Sequence, residues 1–327
     1  MKIAVNSEAG LGHRFNDSIE TIGSDIQLLP YDNDGNSQHN LAEADVFIRS
    51  HIPNAALERA LSQTRSVQWF HTASAGVDSF WELIMKYLPE NALITNGSGT
   101  MSMPIAEYCL AQIFAISKQL PLFVRMQDLH KWKQRTEKIS QDIHGANLFI
   151  IGLGSIGSDL AKLAAAVGVH VQGVRRASAP HKPVDGAERI WSMQENWREA
   201  LAEADYVVVS APLTPETYQL INKQTLSFMK PSAWLINVAR GALVDEQALL
   251  EALEANSIGG AALDVTETEP LPEISALWQT PNALITPHIS WMSPKILQKQ
   301  TDLIMENVRR YREGQSLLNL VSREHRY

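Results

Sequence analysis

What this chain lacks narrows its chemistry first. Its 327 residues include a single cysteine, Cys109, so no disulfide can close within the chain and no cysteine zinc cluster can form. No apolar run reaches the roughly 18 residues that read as a membrane helix. The opening MKIAVNSEAG turns polar too soon to supply the apolar core of a signal peptide. There is no basic surplus: 28 Lys and Arg stand against 36 Asp and Glu, a net charge of −8, the reverse of a nucleic-acid binder's balance. Low-complexity tracts and short-period repeats are missing too. The expectation is a cytoplasmic protein with no nucleic-acid partner, no membrane partner and no metal centre.

What is present is ordinary globular composition, 45% apolar and 20% charged. The length suggests two domains. Short β-rich runs alternate with helical patterns throughout: KIAVN, IQLLP, DVFIRS, VQWFHTA and ALITN, then ANLFIIG, VHVQGV, ADYVVVSAP, AWLINVA, GAALDV and ALITPH. Near-continuous apolar strands between helices imply parallel sheets covered on both faces. The fold class is therefore α/β, with two doubly wound units and a final helical pattern, SPKILQKQTDLIMENVRRYREG, packing back on the first. Between the two series, NGSGTMSMP breaks the rhythm and Pro104 opens a helix. That helix, IAEYCLAQIFAISKQL, is apolar around most of its surface and is expected to be buried, between domains or against a second subunit. Cys109 lies on it and reads as a core residue, because no neighbouring His or acid would activate it.

IIGLGSIGSDLAK places Gly152, Gly154 and Gly157 between a strand and a helix opened by Ser155 and Ile156. The first glycine permits the turn, the second lets backbone approach a pyrophosphate, and the third lets helix and strand pack closely. The helix N-terminus offers N–H groups to phosphates. The next strand usually ends on an acid that binds the adenosine ribose; here it ends on Arg175 and Arg176, with Ser178 close behind. Two guanidinium groups favour a 2′-phosphate and leave a plain diol without its acceptor. The expected cofactor is thus NADP(H) in preference to NAD(H).

Three later segments put polar residues just after strands: Arg240, then Asp264 and Glu269, then His288. A fixed cation, carboxylates and one imidazole suit reduction of an oxoacid, the guanidinium holding a carboxylate and the His giving a proton to the nascent hydroxyl. Taken singly, Arg240 also suits a helix cap or ion pair, His288 a loop histidine and Glu269 a turn.

GLGSIG, PLTPET, NVARGALVDEQAL, ALDVTETEPLP and TPHIS, with TASAGVD and NGSGTMSMPIAEY upstream, together resemble the D-isomer-specific 2-hydroxyacid dehydrogenase family, which includes glyoxylate/hydroxypyruvate reductases. The resemblance implies a flavodoxin-like substrate domain, residues 1–97 plus 290–327, and an inserted Rossmann dinucleotide-binding domain, residues 98–289. It implies that Arg240 grips the substrate, that His288 is acid and base, and that Glu269 orients it. Asp264 would anchor the nicotinamide carboxamide. Ser210, Pro212, Thr217, Val238 and Ala239 would line the cofactor cleft. Ala75, Gly76 and Val77 would receive the substrate carboxylate, with Trp291 nearby. A homodimer acting on a small 2-oxoacid such as glyoxylate or hydroxypyruvate follows. A dinucleotide-sensing corepressor of the same superfamily is the alternative.

The chain departs from the pattern in places. Met103 stands where a Glu is common, and Trp291 and Met292 stand where smaller residues are common. Phe80 and Trp81 either wall the substrate pocket or belong to a core. Arg49 and His51 either bind a polar group of the substrate or are structural.

Overall fold

The computed structural model describes residues 1–8, 14, 15, 19, 23, 25–132, 140–176 and 183–324. Ser178 therefore lies outside the described residues. The chain divides into two units, Met1–Met101 with Ser293–Tyr327, and Ser102–Met292.

The first unit carries five parallel strands: β1 (Lys2–Asn6), β2 (Gln27–Tyr31), β3 (Val46–Arg49), β4 (Trp69–Thr72) and β5 (Leu93–Asn96). They lie in the order β2-β1-β3-β4-β5. Every residue of β3 and β4 is buried, as expected of strands covered on both faces. On one face α1 (Asn54–Ser62) and α2 (Trp81–Tyr87) pack over Phe47 and Phe70, whose rings stack at 5.7 Å. On the other face α8 (Ile296–Arg312), from the far end of the chain, covers Ile3, Val5, Val46, Ile48 and Trp69 with Ile304 and Val308.

The second unit carries seven parallel strands: β6 (Asn147–Ile151), β7 (His170–Arg175), β8 (Arg189–Ser192), β9 (Tyr206–Val209), β10 (Trp234–Asn237), β11 (Gly260–Leu263) and β12 (Ala283–Ile285). Their order is β12-β11-β10-β9-β6-β7-β8. The order reverses beside β6, and in open α/β sheets such a reversal opens the crevice where ligands bind. The helices are α3 (Ser102–Ser117), α4 (Leu120–Asp128), α5 (Ser155–Ala166), α6 (Lys223–Leu226) and α7 (Glu246–Glu254). Asp245 caps α7 by accepting the Ala248 N–H at 3.0 Å, and Asn222 caps α6 through Thr225.

Both sheets confirm the α/β class read from the sequence. Within this chain the helix after NGSGTMSMP buries a stripe that includes Ile105, Ala106, Cys109 and Ile113. Two details differ. The helix expected to open at Pro104 begins at Ser102, so the proline sits in its first turn, where its missing N–H costs nothing. Strand β8 was not expected, because its residues are at most half-buried and too mixed to read as a strand; pairing with β7 defines it.

Among the described residues no helix is long and apolar enough to cross a membrane, and no group of side chains could hold a metal ion.

The second core turns on Trp197, fully buried and stacked on Phe149 at 5.9 Å, with an indole N–H that has no hydrogen-bond partner among the described residues. Trp197→Ala is expected to cost about 3–5 kcal/mol. Trp197→Phe should cost much less, since it keeps the stack and removes an unsatisfied donor. Urea unfolding followed by circular dichroism measures both; equal losses would contradict this account.

Candidate active site

Because all seven strands of the second unit are parallel, the residues that follow them gather at one edge of the sheet. Gly152 follows β6, Ser210 follows β9, Val238 follows β10, Asp264 follows β11 and His288 lies just after β12.

The turn after β6 is set by backbone sterics. Gly152 has φ +106°, and a Cβ there would lie 2.5 Å from the Ala211 nitrogen. A Cβ on Gly157 would lie 2.2 Å from the Gly152 carbonyl oxygen, so only glycine lets α5 start this close to β6. At Gly154 a Cβ would meet nothing within 4 Å. The chain's own packing therefore does not demand glycine there, and the space in front of the N-terminus of α5, at Ser155 and Ile156, stays open. The Ser210 hydroxyl donates to the Gly152 carbonyl at 2.8 Å, joining the turn to the loop after β9. In that loop the Thr217 hydroxyl donates to the Pro212 carbonyl at 2.7 Å. Arg175 ends β7 in register with Ser192, and Arg175 and Arg176 are both half-buried.

Arg240 follows the buried pair Val238 and Ala239. Its turn is fastened by Asn237, the last residue of β10, whose amide donates to the Arg240 carbonyl at 2.9 Å and whose carbonyl oxygen accepts the Ala239 N–H at 3.1 Å. Gly241 permits the turn: a Cβ there would fall 1.9 Å from the Thr266 carbonyl carbon. The sequence reading missed Asn237; the signal was a polar residue closing an otherwise apolar buried strand.

Glu269 and His288 meet, with Nδ1 of the imidazole 2.8 Å from Oε2 of the carboxylate. The other oxygen accepts the Thr266 N–H at 3.2 Å. Burial pulls the Glu269 pKa upward, but the His288 hydrogen bond and charge, the Thr266 N–H and the charge of Arg240 together outweigh it and hold the carboxyl below its ordinary range. Its contribution to stability is thus present above the ordinary glutamate pKa of about 4.3 and is lost only as the pH falls through the lowered value. An ionised carboxylate can only accept, so Nδ1 carries the hydrogen and Nε2 is left for proton exchange with a ligand.

Asp264 is 1% exposed and anchors the His288 loop. Its carboxylate accepts the Ile289 N–H and the Ser290 N–H, each at 2.9 Å, and the Thr286 hydroxyl at 2.6 Å. Its carbonyl accepts the His288 N–H at 2.8 Å. His288 has φ +54°, a left-handed conformation that a non-glycine residue keeps only where its surroundings impose it. The Trp291 indole N–H donates to the His288 carbonyl at 2.8 Å.

In the first unit, Ala75, Gly76 and Val77 form the loop after β4. Asn96 donates to the Ala75 carbonyl at 2.7 Å. Arg49, 6% exposed at the end of β3, reaches the hydroxyls of Thr72 and Ser74 at 3.4 and 3.3 Å and the Ile52 carbonyl at 3.0 Å. It lies over the Phe80 ring, and burial lowers its pKa to about 10, which leaves it charged at neutral pH. Phe80 and Trp81, 2% and 4% exposed, belong to this unit's core.

Comparison with known proteins adds an independent line. The family model for the D-isomer specific 2-hydroxyacid dehydrogenase NAD-binding domain matches residues 110–290. A putative 2-hydroxyacid dehydrogenase from Haemophilus influenzae is 35% identical over 67% of this chain and 70% of its own length. A glyoxylate reductase from Korarchaeum cryptofilum is 30% identical over 71% of this chain and 69% of its own. Among solved structures, a D-isomer specific 2-hydroxyacid dehydrogenase from Xanthobacter autotrophicus, in complex with NADPH and MES, superposes with a TM-score of 0.85 at 28% identity, covering 100% of this chain and 99% of that one.

The first two glycines of the turn differ in what they can tolerate. Gly152→Ala should lower stability by about 2 kcal/mol or more, from positive φ and backbone overlap. Gly154→Ala should change it by less than about 1 kcal/mol. Chemical unfolding of the two variants side by side checks this; equal destabilisation would refute the open space at Gly154.

Proposed function

The chain belongs to the D-isomer specific 2-hydroxyacid dehydrogenase family, an NAD(P)-dependent enzyme family, and on that premise we propose that it reduces a small 2-oxoacid, glyoxylate or hydroxypyruvate, with NADPH preferred over NADH. The observation that carries this reading is the 2.8 Å hydrogen bond between Glu269 and His288, made where the charge of Arg240 is also felt.

The residues present fit the cofactor. The open space at Gly154, before the N-terminus of α5, suits a pyrophosphate, with the Ser155 and Ile156 N–H groups toward it. Arg175 and Arg176 would take a 2′-phosphate, with Ser178 as a further donor, and Ser210, Pro212, Thr217, Val238 and Ala239 would line the rest. Asp264, with three donors already on its carboxylate, keeps about one acceptor site for a carboxamide N–H. The dinucleotide supplies a hydride when bound.

The chain's own groups do the rest. Arg240 binds the substrate carboxylate and polarises its carbonyl. In the first unit, the loop at Ala75, Gly76 and Val77 offers backbone N–H groups that suit a carboxylate. His288, protonated and held through Nδ1 by Glu269, gives the Nε2 proton to the carbonyl oxygen as negative charge develops there, and takes it back in the oxidative direction. Trp291 borders the substrate. The exposed apolar residues Leu120, Leu122, Val124 and Leu129 along and just after α4 support a homodimer, for which a monomer mass by light scattering would be the contrary result.

Steady-state kinetics on a panel of 2-oxoacids tests the reading. Turnover is expected with glyoxylate or hydroxypyruvate, at higher kcat/KM with NADPH than with NADH. His288→Ala should lose about 100-fold or more in kcat while keeping its affinity for NADPH. No oxidation of NADPH by any 2-oxoacid, or normal turnover in the variant, would overturn the proposal.

A second outcome concerns orientation. Glu269 holds the imidazole through Nδ1, so Glu269→Gln should lower kcat by about tenfold or more while the KM for NADPH stays within about twofold. Parental kcat in the variant would remove Glu269 from its role.

A further inference from the structure

The His288 loop is tied to α3 by a chain of hydroxyls. Tyr108 lies on α3, and its phenol oxygen is 2.6 Å from Oγ1 of Thr286. Thr286 Oγ1 is in turn 2.6 Å from Oδ1 of Asp264. The direction of this chain follows from chemistry. Asp264 receives two backbone N–H groups, one on each oxygen, as an ionised carboxylate does, and can only accept. The one hydrogen of Thr286 therefore goes to Asp264, and Tyr108 must donate to Thr286. Burial pushes the Tyr108 phenol up to about 12; hydrogen bonds with Thr286 and Gln112 oppose the shift and the charge of Asp264 adds to it. The phenol is thus a donor at every working pH.

What the chain holds in place is the unusual part of the loop. His288 keeps its left-handed backbone between the Asp264 carbonyl, which takes its own N–H, and the Asp264 carboxylate, which takes the next two. Thr286 sits at the entrance to that loop, and its rotamer decides whether Oγ1 faces Asp264. Tyr108 meets that Oγ1 from a separate helix, α3.

We propose that Tyr108 is a positioning residue for the reaction: through Thr286 and Asp264 it holds the His288 backbone so that the imidazole stays aligned on Glu269. The inference rests on the reading of His288 as the proton donor. Without the phenol hydroxyl, Thr286 Oγ1 loses its donor and the side chain is free to turn from Asp264. The loop then gains alternative conformations in which the Nδ1 bond to Glu269 is longer or absent.

Amide hydrogen exchange on the free chain, joined to steady-state kinetics, tests this with Tyr108→Phe, Thr286→Val, Thr286→Ser and His288→Ala. In Tyr108→Phe, exchange at Ile289 and Ser290 should rise about tenfold while amides of β6 and β9 keep parental rates. Its kcat should fall about tenfold with the nucleotide KM within about twofold. Thr286→Val should behave alike, and combining it with Tyr108→Phe should add nothing further. Thr286→Ser, which retains the hydroxyl, should exchange at the parental rate. The proposal is overturned by parental exchange at Ile289 and Ser290 in Tyr108→Phe, by loosening of the whole sheet, by effects of the two variants that multiply, or by faster loop exchange with parental kcat. His288→Ala separates the two levels: normal turnover there sinks the functional reading, whereas the exchange rates judge Tyr108 independently of it.

Discussion

One buried carboxylate carries the organisation of the second unit's ligand edge. Asp264 closes β11 and spends both of its oxygens on the loop beyond β12, where two backbone N–H groups and a hydroxyl converge on it. A carboxylate so deeply buried is tolerable only because donors surround it. The same donors belong to the segment whose backbone places His288 in a left-handed conformation. The strain at the histidine and the desolvation of the acid are thus resolved by one set of bonds. Removing either partner would leave the other without its reason to be there.

Around that hub, topology does the assembling. Seven parallel strands deliver the glycine turn, the Arg240 turn, the Glu269 loop and the His288 loop to a single edge, although more than a hundred residues separate the first from the last. Local chemistry then sets each turn. Asn237 ties Arg240 from behind, and Gly241 lets that turn approach Thr266 more closely than any side chain would allow. The first unit repeats the logic on a smaller sheet, where Arg49 and Asn96 hold the loop after β4 from two sides.

Much of this was legible in the sequence, for a physical reason. Strands buried on both faces read as apolar runs, and eleven such runs correspond to eleven of the twelve strands among the described residues. The missing one, β8, lies at a sheet edge, where partial exposure removes the pattern. Arg240, Glu269 and His288 stood out because polar residues in the segments that follow apolar strands are conspicuous. What could not be read is the joining of ordinary residue types across long stretches of chain. Tyr108 and Thr286 are 178 positions apart, and neither departs from the composition of its element. Asp264 stood out as an acid after an apolar strand, but its three donors did not, because they come from a loop whose path only the folded chain defines.

The first unit is discontinuous, and its sheet is covered on one face by α8, which comes from the end of the chain. A growing polypeptide emerging from the ribosome therefore carries Ile3, Val5, Val46, Ile48 and Trp69 with Phe15 and Ile19 but without Ile304 and Val308 until α8 is made. At synthesis rates of about 5–20 residues per second, the intervening unit takes on the order of ten to forty seconds to appear. During that interval an apolar sheet face is only partly covered. The inserted unit, continuous from Ser102 to Met292, can close its own core first, which makes it the element on which vectorial folding would proceed.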